Sequence, residues 1–248
     1  MAPSSRLGKL EDLTLTRRED PMATLFLYEQ AELLRKAPNL HKMTVSLCGL
    51  APGTSLFMKN IQFLTLYGGK LGPGEIKGLA ISCPQVQSFR YTCDGFSGTW
   101  ANFHTRFSGR ELCHALRLWK KTLRVLDVDL FDNQRDAPGD TMDSLKKNSM
   151  LEDISLGANC MYVERVSGAP PAPASLLVEL LPSSIRTLSV STVSKNEYPA
   201  FVSLADVVLR RNFPRLTRVL YTRTDIDGGS DEIKDVFRRA EVDAIEER

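Results

Sequence analysis

The chain has 248 residues, of which 42% are hydrophobic and 25% charged, a composition typical of a globular protein with a sizeable core. Its 32 basic and 30 acidic side chains give a formal net charge of +2. This near balance argues against broad binding to nucleic acid or a membrane surface, because such proteins usually carry a large basic excess. No apolar run reaches the roughly 18 residues of a transmembrane helix, and the first residues lack the apolar core of a signal peptide. We therefore expect neither a nucleic-acid partner nor a membrane partner.

The cysteines indicate the cellular environment. There are five, at Cys48, Cys83, Cys93, Cys113 and Cys160. Their odd number, their wide spacing and the absence of a Cys-x-x-Cys pair argue against a disulfide scaffold and a zinc ribbon. We expect reduced thiols and an intracellular protein, cytoplasmic or nuclear.

One pattern, apolar-x-x-apolar-x-apolar, recurs along the whole chain. Its eight occurrences are Leu10-Leu13-Leu15, Leu40-Met43-Val45, Ile61-Leu64-Leu66, Val86-Phe89-Tyr91, Leu123-Leu126-Val128, Leu151-Ile154-Leu156, Ile185-Leu188-Val190 and Leu216-Val219-Tyr221. They begin 21 to 37 residues apart. Alternate residues of a strand face the same side, so the second and third apolar positions point inward. Parallel stacking of such strands buries a continuous core and pairs their backbone groups.

The segments between these strands favour helices, because their apolar residues recur at spacings of three and four. Such faces precede the second strand (Leu25, Tyr28, Ala31, Leu33, Leu34), the fifth (Leu112, Leu116, Trp119, Leu123), the sixth (Met142, Leu145), the seventh (Leu176, Leu177, Leu180, Leu181) and the eighth (Phe201, Leu204, Val207, Val208, Leu209). Pro38, Pro84 and Pro214 each stand two residues before a strand motif. Since proline cannot continue a helix, each one separates a helix from the next strand.

These observations predict an α/β solenoid shaped as an arc or horseshoe, with about eight repeats over residues 1–230. The parallel sheet would line the concave face and the helices the convex face. Residues 231–248 are predicted to form a capping helix whose apolar face is Ile233, Val236, Phe237, Ala240 and Ile245. The alternative is an ordinary α/β sheet, whose strands tend to be longer and more continuously apolar.

A helix followed by Pro-x-Leu-x-x-Leu-x-Leu resembles the irregular leucine-rich repeats of F-box proteins, particularly those common in fungi. Repeats of that family carry Cys or Asn eight residues after the first apolar residue, a position that Cys48 and Asn159 match. The resemblance implies the substrate-recognition repeat domain of a ubiquitin ligase receptor, which acts by recruitment.

The F-box of that family lies N-terminal to the repeats and docks a Skp-type adaptor. The first strand motif of this chain already begins at Leu10, and no F-box is found. A Skp-type adaptor is therefore expected only if an F-box lies upstream. The alternative is a stand-alone leucine-rich-repeat adaptor unrelated to ubiquitination.

The sequence offers no pattern typical of catalysis. The stretch from Gly68 to Gly74 resembles a phosphate loop, but Leu71 stands where the loop needs a hydroxyl. His41, His104 and His114 have no metal-ligand spacing. We expect no catalytic residue, no metal, no cofactor and no enzymatic activity.

Two clusters are expected on the exposed side of the sheet. Phe63, Tyr67 and Arg90 combine aromatic side chains with an arginine, the composition of a protein-binding hot spot. Asp127, Asp129 and Asp153 would form an acidic patch that attracts a basic segment. These six residues are the candidate partner-binding site; the alternative is an ordinary solvated polar face.

Overall fold

The computed structural model describes residues 7–16, 25–46, 48–49, 56, 58–68, 71–92, 107–130, 141–161, 173–193, 195–223 and 230–247. Within these residues the chain forms an α/β fold built on a nine-stranded parallel sheet. The strands of this sheet are β1 (Asp12–Leu15), β3 (Lys42–Ser46), β5 (Phe63–Tyr67), β6 (Ser88–Thr92), β7 (Val125–Asp129), β8 (Asp153–Gly157), β9 (Thr187–Val193), β10 (Arg218–Arg223) and β11 (Asp243–Glu246). A separate two-stranded parallel sheet joins β2 (Leu25–Phe26) to β4 (Cys48–Gly49).

Helices and turns connect successive strands. The α-helices are α1 (Ala31–Arg35), α2 (Pro73–Ser82), α3 (Gly109–Leu116), α4 (Ala158–Met161), α5 (Leu176–Leu180), α6 (Tyr198–Leu209) and α7 (Ser230–Arg239). Short 3₁₀ helices span Leu7–Lys9, Leu27–Gln30, Arg117–Trp119 and Lys195–Glu197. The strands follow one another in the sheet in the order of the chain, and the sheet does not close into a barrel. This arrangement is consistent with an α/β solenoid.

The eight predicted strands are confirmed, and their register aligns the apolar motif across the sheet. The second apolar residues form one row: Leu13, Met43, Leu64, Phe89, Leu126, Ile154, Leu188 and Val219. The third apolar residues form the next row: Leu15, Val45, Leu66, Tyr91, Val128, Leu156, Val190 and Tyr221. Both rows point into the core, as the period of two in a strand requires.

One side of the sheet is covered and the other faces solvent. Buried residues of the helices, such as Leu79, Leu112 and Leu204, belong to the same apolar cluster as the inward strand residues. The intervening strand residues, such as Thr44 and Arg90, are half-buried or exposed. We call this second side the open face.

A recurring turn leads into the strands. The backbone N–H of a motif's first apolar residue donates to the carbonyl three residues earlier, as from Leu40 to Ala37 (3.1 Å) and from Leu216 to Phe213 (3.2 Å). Equivalent bonds occur at Leu10, Ile61, Val86, Leu151 and Ile185. Pro38, Pro84 and Pro214 directly follow three of the residues whose carbonyls accept these bonds. Each proline therefore lies between a helix and the next strand, as predicted.

Buried side-chain hydrogen bonds connect three segments in the middle of the chain to the unit before them. The Trp119 indole donates to the carbonyl of Cys83 (2.7 Å), and the Asn148 amide donates to the carbonyl of Leu116 (3.0 Å). The Cys160 thiol approaches the carbonyl of Val128 at 3.4 Å. These bonds satisfy buried polar groups and fix the distance between neighbouring units. The side chains of Cys48 and Asn159, matched to the family pattern, lie outside the described residues.

The prediction of a capping helix over residues 231–248 is wrong in its second half. Helix α7 ends at Arg239, and residues 243–246 form the ninth strand, β11. Glu241 adopts a left-handed conformation (φ 58°), which ends the helical path and turns the chain toward the sheet. Ile245 therefore lies beside Leu220 on the open face. The apolar-x-x-apolar-x-apolar pattern did not predict β11, because the inward residues of this strand are Ala244 and Glu246.

The helix expected before the sixth strand is also absent from the described residues 141–152. Met142 and Leu145 are buried as predicted, but turns and extended backbone hold them in place. Met142 N–H donates to the carbonyl of Cys160 (2.9 Å), and Leu145 N–H donates to the carbonyl of Leu180 (2.8 Å). Bonds to neighbouring units thus replace the helical ones, which a local pattern does not reveal.

Candidate functional site

All six candidate residues lie on the open face, on four consecutive strands. Phe63 and Tyr67 lie on β5, Arg90 on β6, Asp127 and Asp129 on β7, and Asp153 on β8. Their neighbours in the sequence alternate inward, so the period of two that predicted the core also predicted this face.

The two aromatic side chains are the most prominent apolar feature of this part of the face. Phe63 is 41% exposed and Tyr67 is 46% exposed, and Thr65 lies between them on the same side. The Phe63 ring makes an edge-on contact with the His41 ring, with centroids 6.4 Å apart. The inward residues Leu64 and Leu66 are fully buried and hold the strand in place. The rings therefore project from a rigid support, which lowers the entropy cost of binding.

Arg90 and Asp127 form a cross-strand ion pair. They are register partners on β6 and β7, and the Arg90 Nε lies 3.7 Å from the Asp127 carboxylate. The pair joins the two predicted clusters into one continuous surface. Both side chains are more than 40% exposed, so the pair stabilises the fold by at most about 1 kcal/mol. The sequence pattern placed Arg90 and Asp127 at the same position of their strands, but it did not predict that they interact.

The predicted acidic patch spans β7 and β8. Asp153 is the register partner of Val125 and lies diagonally across from Asp127. A Cβ at Gly157 would lie 2.7 Å from the Asp129 carboxylate, so a larger residue there would make the Asp129 side chain move. Together with Arg90, the three carboxylates of the patch carry a formal charge of −2.

A shallow polar cavity of about 400 Å³, lined by amide side chains, was not predicted. Its lining is Pro38, Asn39, His41, Asn60, Gln62 and Gln85. Asn39 and Asn60 donate to the carbonyls of Gly8 and Pro38 in the preceding turns. The sequence signal is the shared position of Asn39, Asn60 and Gln85, each directly before the first apolar residue of a motif. We assign Asn39 and Asn60 a structural role, because their amides bind backbone carbonyls of the preceding unit.

The buried cysteines do not have the properties of nucleophiles. Burial raises the pKa of Cys113 to about 11 and that of Cys160 to about 12, and it raises the pKa of Cys83 further. All three thiols are therefore protonated at neutral pH, whereas a reactive cysteine is a thiolate. Within the described residues no group of three His, Cys, Asp or Glu side chains could hold a metal ion. His104 lies outside those residues.

The glycine-rich stretch includes the start of helix α2. The Glu75 carboxylate accepts a hydrogen bond from the backbone N–H of Gly72, the residue that precedes the helix. A phosphate at a helix N-terminus would need such donors, so an anionic side chain of the protein itself occupies that position. Gly69 and Lys70 lie outside the described residues.

No family model matches the sequence, and no curated protein matches it either. None of the described helices has the length and apolar character needed to cross a bilayer.

Proposed function

We propose that the chain is a leucine-rich-repeat solenoid that works as a protein-interaction scaffold, with the open face as its concave partner-binding surface. The observation that carries the proposal is the exposed pair Phe63 and Tyr67 beside the ion-paired Arg90, on rigid neighbouring strands. Aromatic and arginine side chains contribute most of the binding energy in many protein interfaces.

The charges of the open face favour a partner segment with both apolar and basic residues. The apolar part would contact Phe63 and Tyr67 on β5. Two and three strands further on, about 10 to 15 Å away, the carboxylates of Asp129 and Asp153 would contact the basic part. A partner segment of about 15 Å could contact both regions at once.

The specific form of the proposal follows from the resemblance to F-box proteins. The chain would then be the substrate-recognition repeat domain of a ubiquitin ligase receptor. It would act by holding a substrate near the ligase, and no chemistry would occur on the chain itself. The second form, a stand-alone adaptor unrelated to ubiquitination, uses the same surface.

The test is a tagged pull-down of the natural full-length product from its own cells, read by mass spectrometry. The wild type is compared with Phe63→Ser combined with Tyr67→Ser. The control carries Ile81→Ser and Leu118→Ser, two residues that are 63% and 49% exposed but lie in helical segments. We expect the open-face variant to lose its main partner at least about tenfold and the control to keep it.

The same experiment separates the two forms of the proposal. A Skp-type adaptor and a cullin in the wild-type sample would support the ligase receptor. Their absence, with another protein lost in the open-face variant, would support the stand-alone adaptor. Equal capture by the wild type and the open-face variant would contradict the scaffold role of this face.

A further inference from the structure

The edge of the sheet where β7 to β10 begin carries a concentration of positive charge. Its exposed basic side chains are Lys120, Lys121, Arg124, Lys147, Arg186 and Arg215, which we call the basic rim. Glu152 lies within the rim, 3.2 Å from Arg124 and 4.0 Å from Arg186. With Lys146, Arg218 and the half-buried Asp153 at the same edge included, eight basic and two acidic groups sum to +6, against +2 for the whole chain. Charge is therefore segregated in this protein.

Backbone hydrogen bonds align the residues that directly precede β7 to β10. The Arg124 carbonyl accepts from the N–H of Glu152 (2.8 Å), the Glu152 carbonyl from Arg186 (2.7 Å), and the Arg186 carbonyl from Thr217 (3.0 Å). Consecutive strands lie about 4.8 Å apart, so the three steps from β7 to β10 span about 14 Å. This row holds Arg124 and Arg186 on either side of Glu152, and the other basic side chains of the rim lie in the turns that lead into these strands.

Helix ends explain only part of this charge. Basic side chains stabilise the last turn of a helix, which accounts for Lys120 after the 3₁₀ helix Arg117–Trp119. Arg124 and Arg186 precede strands, and Arg215 lies in the turn after Pro214. The remaining charge points to an anionic partner.

We propose that the basic rim docks an extended acidic segment of a partner protein, as a second interaction surface besides the open face. Four or five residues of extended peptide, at about 3.3 Å each, match the length of the rim. Bidentate bonds from arginine to carboxylates would add specificity at Arg124, Arg186 and Arg215.

The surroundings of the rim favour a narrow peptide over a broad polyanion. Asp153 directly follows Glu152 in the chain, and Asp127 lies on the adjacent strand. A duplex nucleic acid or an anionic membrane resting on the rim would also approach these carboxylates within a Debye length of about 8 Å. Single-stranded nucleic acid needs exposed aromatic side chains for stacking, but Trp119 and Phe213 in these turns are buried.

The test measures the anisotropy of a fluorescent eight-residue peptide of Glu and Asp with the full chain, at 50 and 150 mM salt. The rim variant carries Lys121→Glu, Lys147→Glu and Arg215→Glu, which leave the Arg124–Glu152–Arg186 group intact. The control carries the same number of reversals at exposed positions outside the rim: Lys9→Glu, Lys59→Glu and Lys77→Glu.

We expect the rim variant to bind the peptide at least about tenfold more weakly, the control to stay within about twofold, and Phe63→Ser with Tyr67→Ser to bind as the wild type does. Circular dichroism checks folding, and Lys121→Gln with Arg215→Gln replaces the rim variant if it is misfolded. No peptide binding, or equal weakening in rim variant and control, would overturn the proposal. So would rim-dependent binding of duplex DNA or phosphatidylserine vesicles that is tighter than binding of the peptide.

Discussion

The two edge strands of the nine-stranded sheet, β1 and β11, differ in the side chains that they direct toward the core. At the N-terminal end, β1 directs Leu13 and Leu15 toward the core, where both remain half-buried. At the C-terminal end, β11 places Glu246 in the row of inward residues, and its carboxylate lies 3.3 Å from the Lys234 ammonium of α7. An inward charge on an edge strand prevents further strands from adding to the sheet. The edge at β11 therefore carries an inward charge, whereas β1 continues the apolar pattern to the other edge.

Replacing a core residue by alanine at each end of the sheet should give the largest difference in the free energy of unfolding. Phe237 of α7 is fully buried and makes an edge-on contact with Phe201, with centroids 6.5 Å apart. We expect Phe237→Ala to lower the free energy of unfolding by about 3 to 5 kcal/mol. Leu13→Ala, at the half-buried N-terminal edge, should cost only about 1 to 2 kcal/mol. Urea unfolding measures both; equal losses would contradict the difference in burial.

The free energy of unfolding should also depend on alkaline pH, because three buried thiols lie in the helical segments between β5 and β9. The folded chain keeps the raised-pKa thiols of Cys83, Cys113 and Cys160 protonated, whereas the unfolded chain releases these protons above a thiol pKa of about 9.0. The free energy of unfolding should therefore fall as pH rises from about 9 toward the folded values, by about 1 kcal/mol per thiol at pH 10.

Urea unfolding at several pH values checks this expectation, and Cys113→Ala is the matched variant. Its free energy of unfolding should fall less steeply above pH 9 than that of the wild type. The same slope in both chains would mean that Cys113 ionises equally in the folded and unfolded states.

Removing the inward charge should alter association more than stability. In Glu246→Val an apolar side chain replaces the carboxylate near Lys234, and we expect concentration-dependent self-association in sedimentation velocity. The free energy of unfolding should change by about 1 kcal/mol or less, because the ion pair is partly exposed. Glu247→Val, just beyond the strand, serves as the control and should sediment as the wild type does. If Glu246→Val does not self-associate either, then Glu246 does not protect this edge of the sheet.

The smallest effect is expected at the centre of the open face. A double-mutant cycle with Arg90→Ala and Asp127→Ala should give a coupling energy of about 0.5 kcal/mol, as exposed ion pairs do. Urea unfolding of the four chains measures it. A coupling energy above about 2 kcal/mol would contradict this expectation and would mean that the ion pair contributes substantially to the stability of the fold.

The same contrast explains how much of the structure could be predicted from sequence. Large apolar residues at a period of two mark every strand of the main sheet except β11, and the same alternation identifies which residues lie on the open face. In β11 the inward positions hold Ala244 and Glu246, so the strand depends on pairing with β10 and lacks an apolar signal. The segment around Met142 and Leu145 is likewise fixed by bonds to distant carbonyls.

The site was predicted in part for a related reason. Strand alternation placed Phe63 and Arg90 on the same side, since that depends only on each strand by itself. The contact of Arg90 with Asp127 depends on the register between strands, and the charge of the basic rim depends on how successive turns align. Such alignments become visible only when the units are superposed in space.

The central claim is that the open face, and not the helical layer, contacts the partner. Its most direct test is photo-crosslinking in cells with p-benzoylphenylalanine at Tyr67, compared with the same group at Ile81 in helix α2. Both positions are exposed, at 46% and 63%, so the probe is accessible in either case. We expect a discrete crosslinked protein from position 67 and none of that protein from position 81. The same protein crosslinked from position 81 but not from position 67 would contradict it.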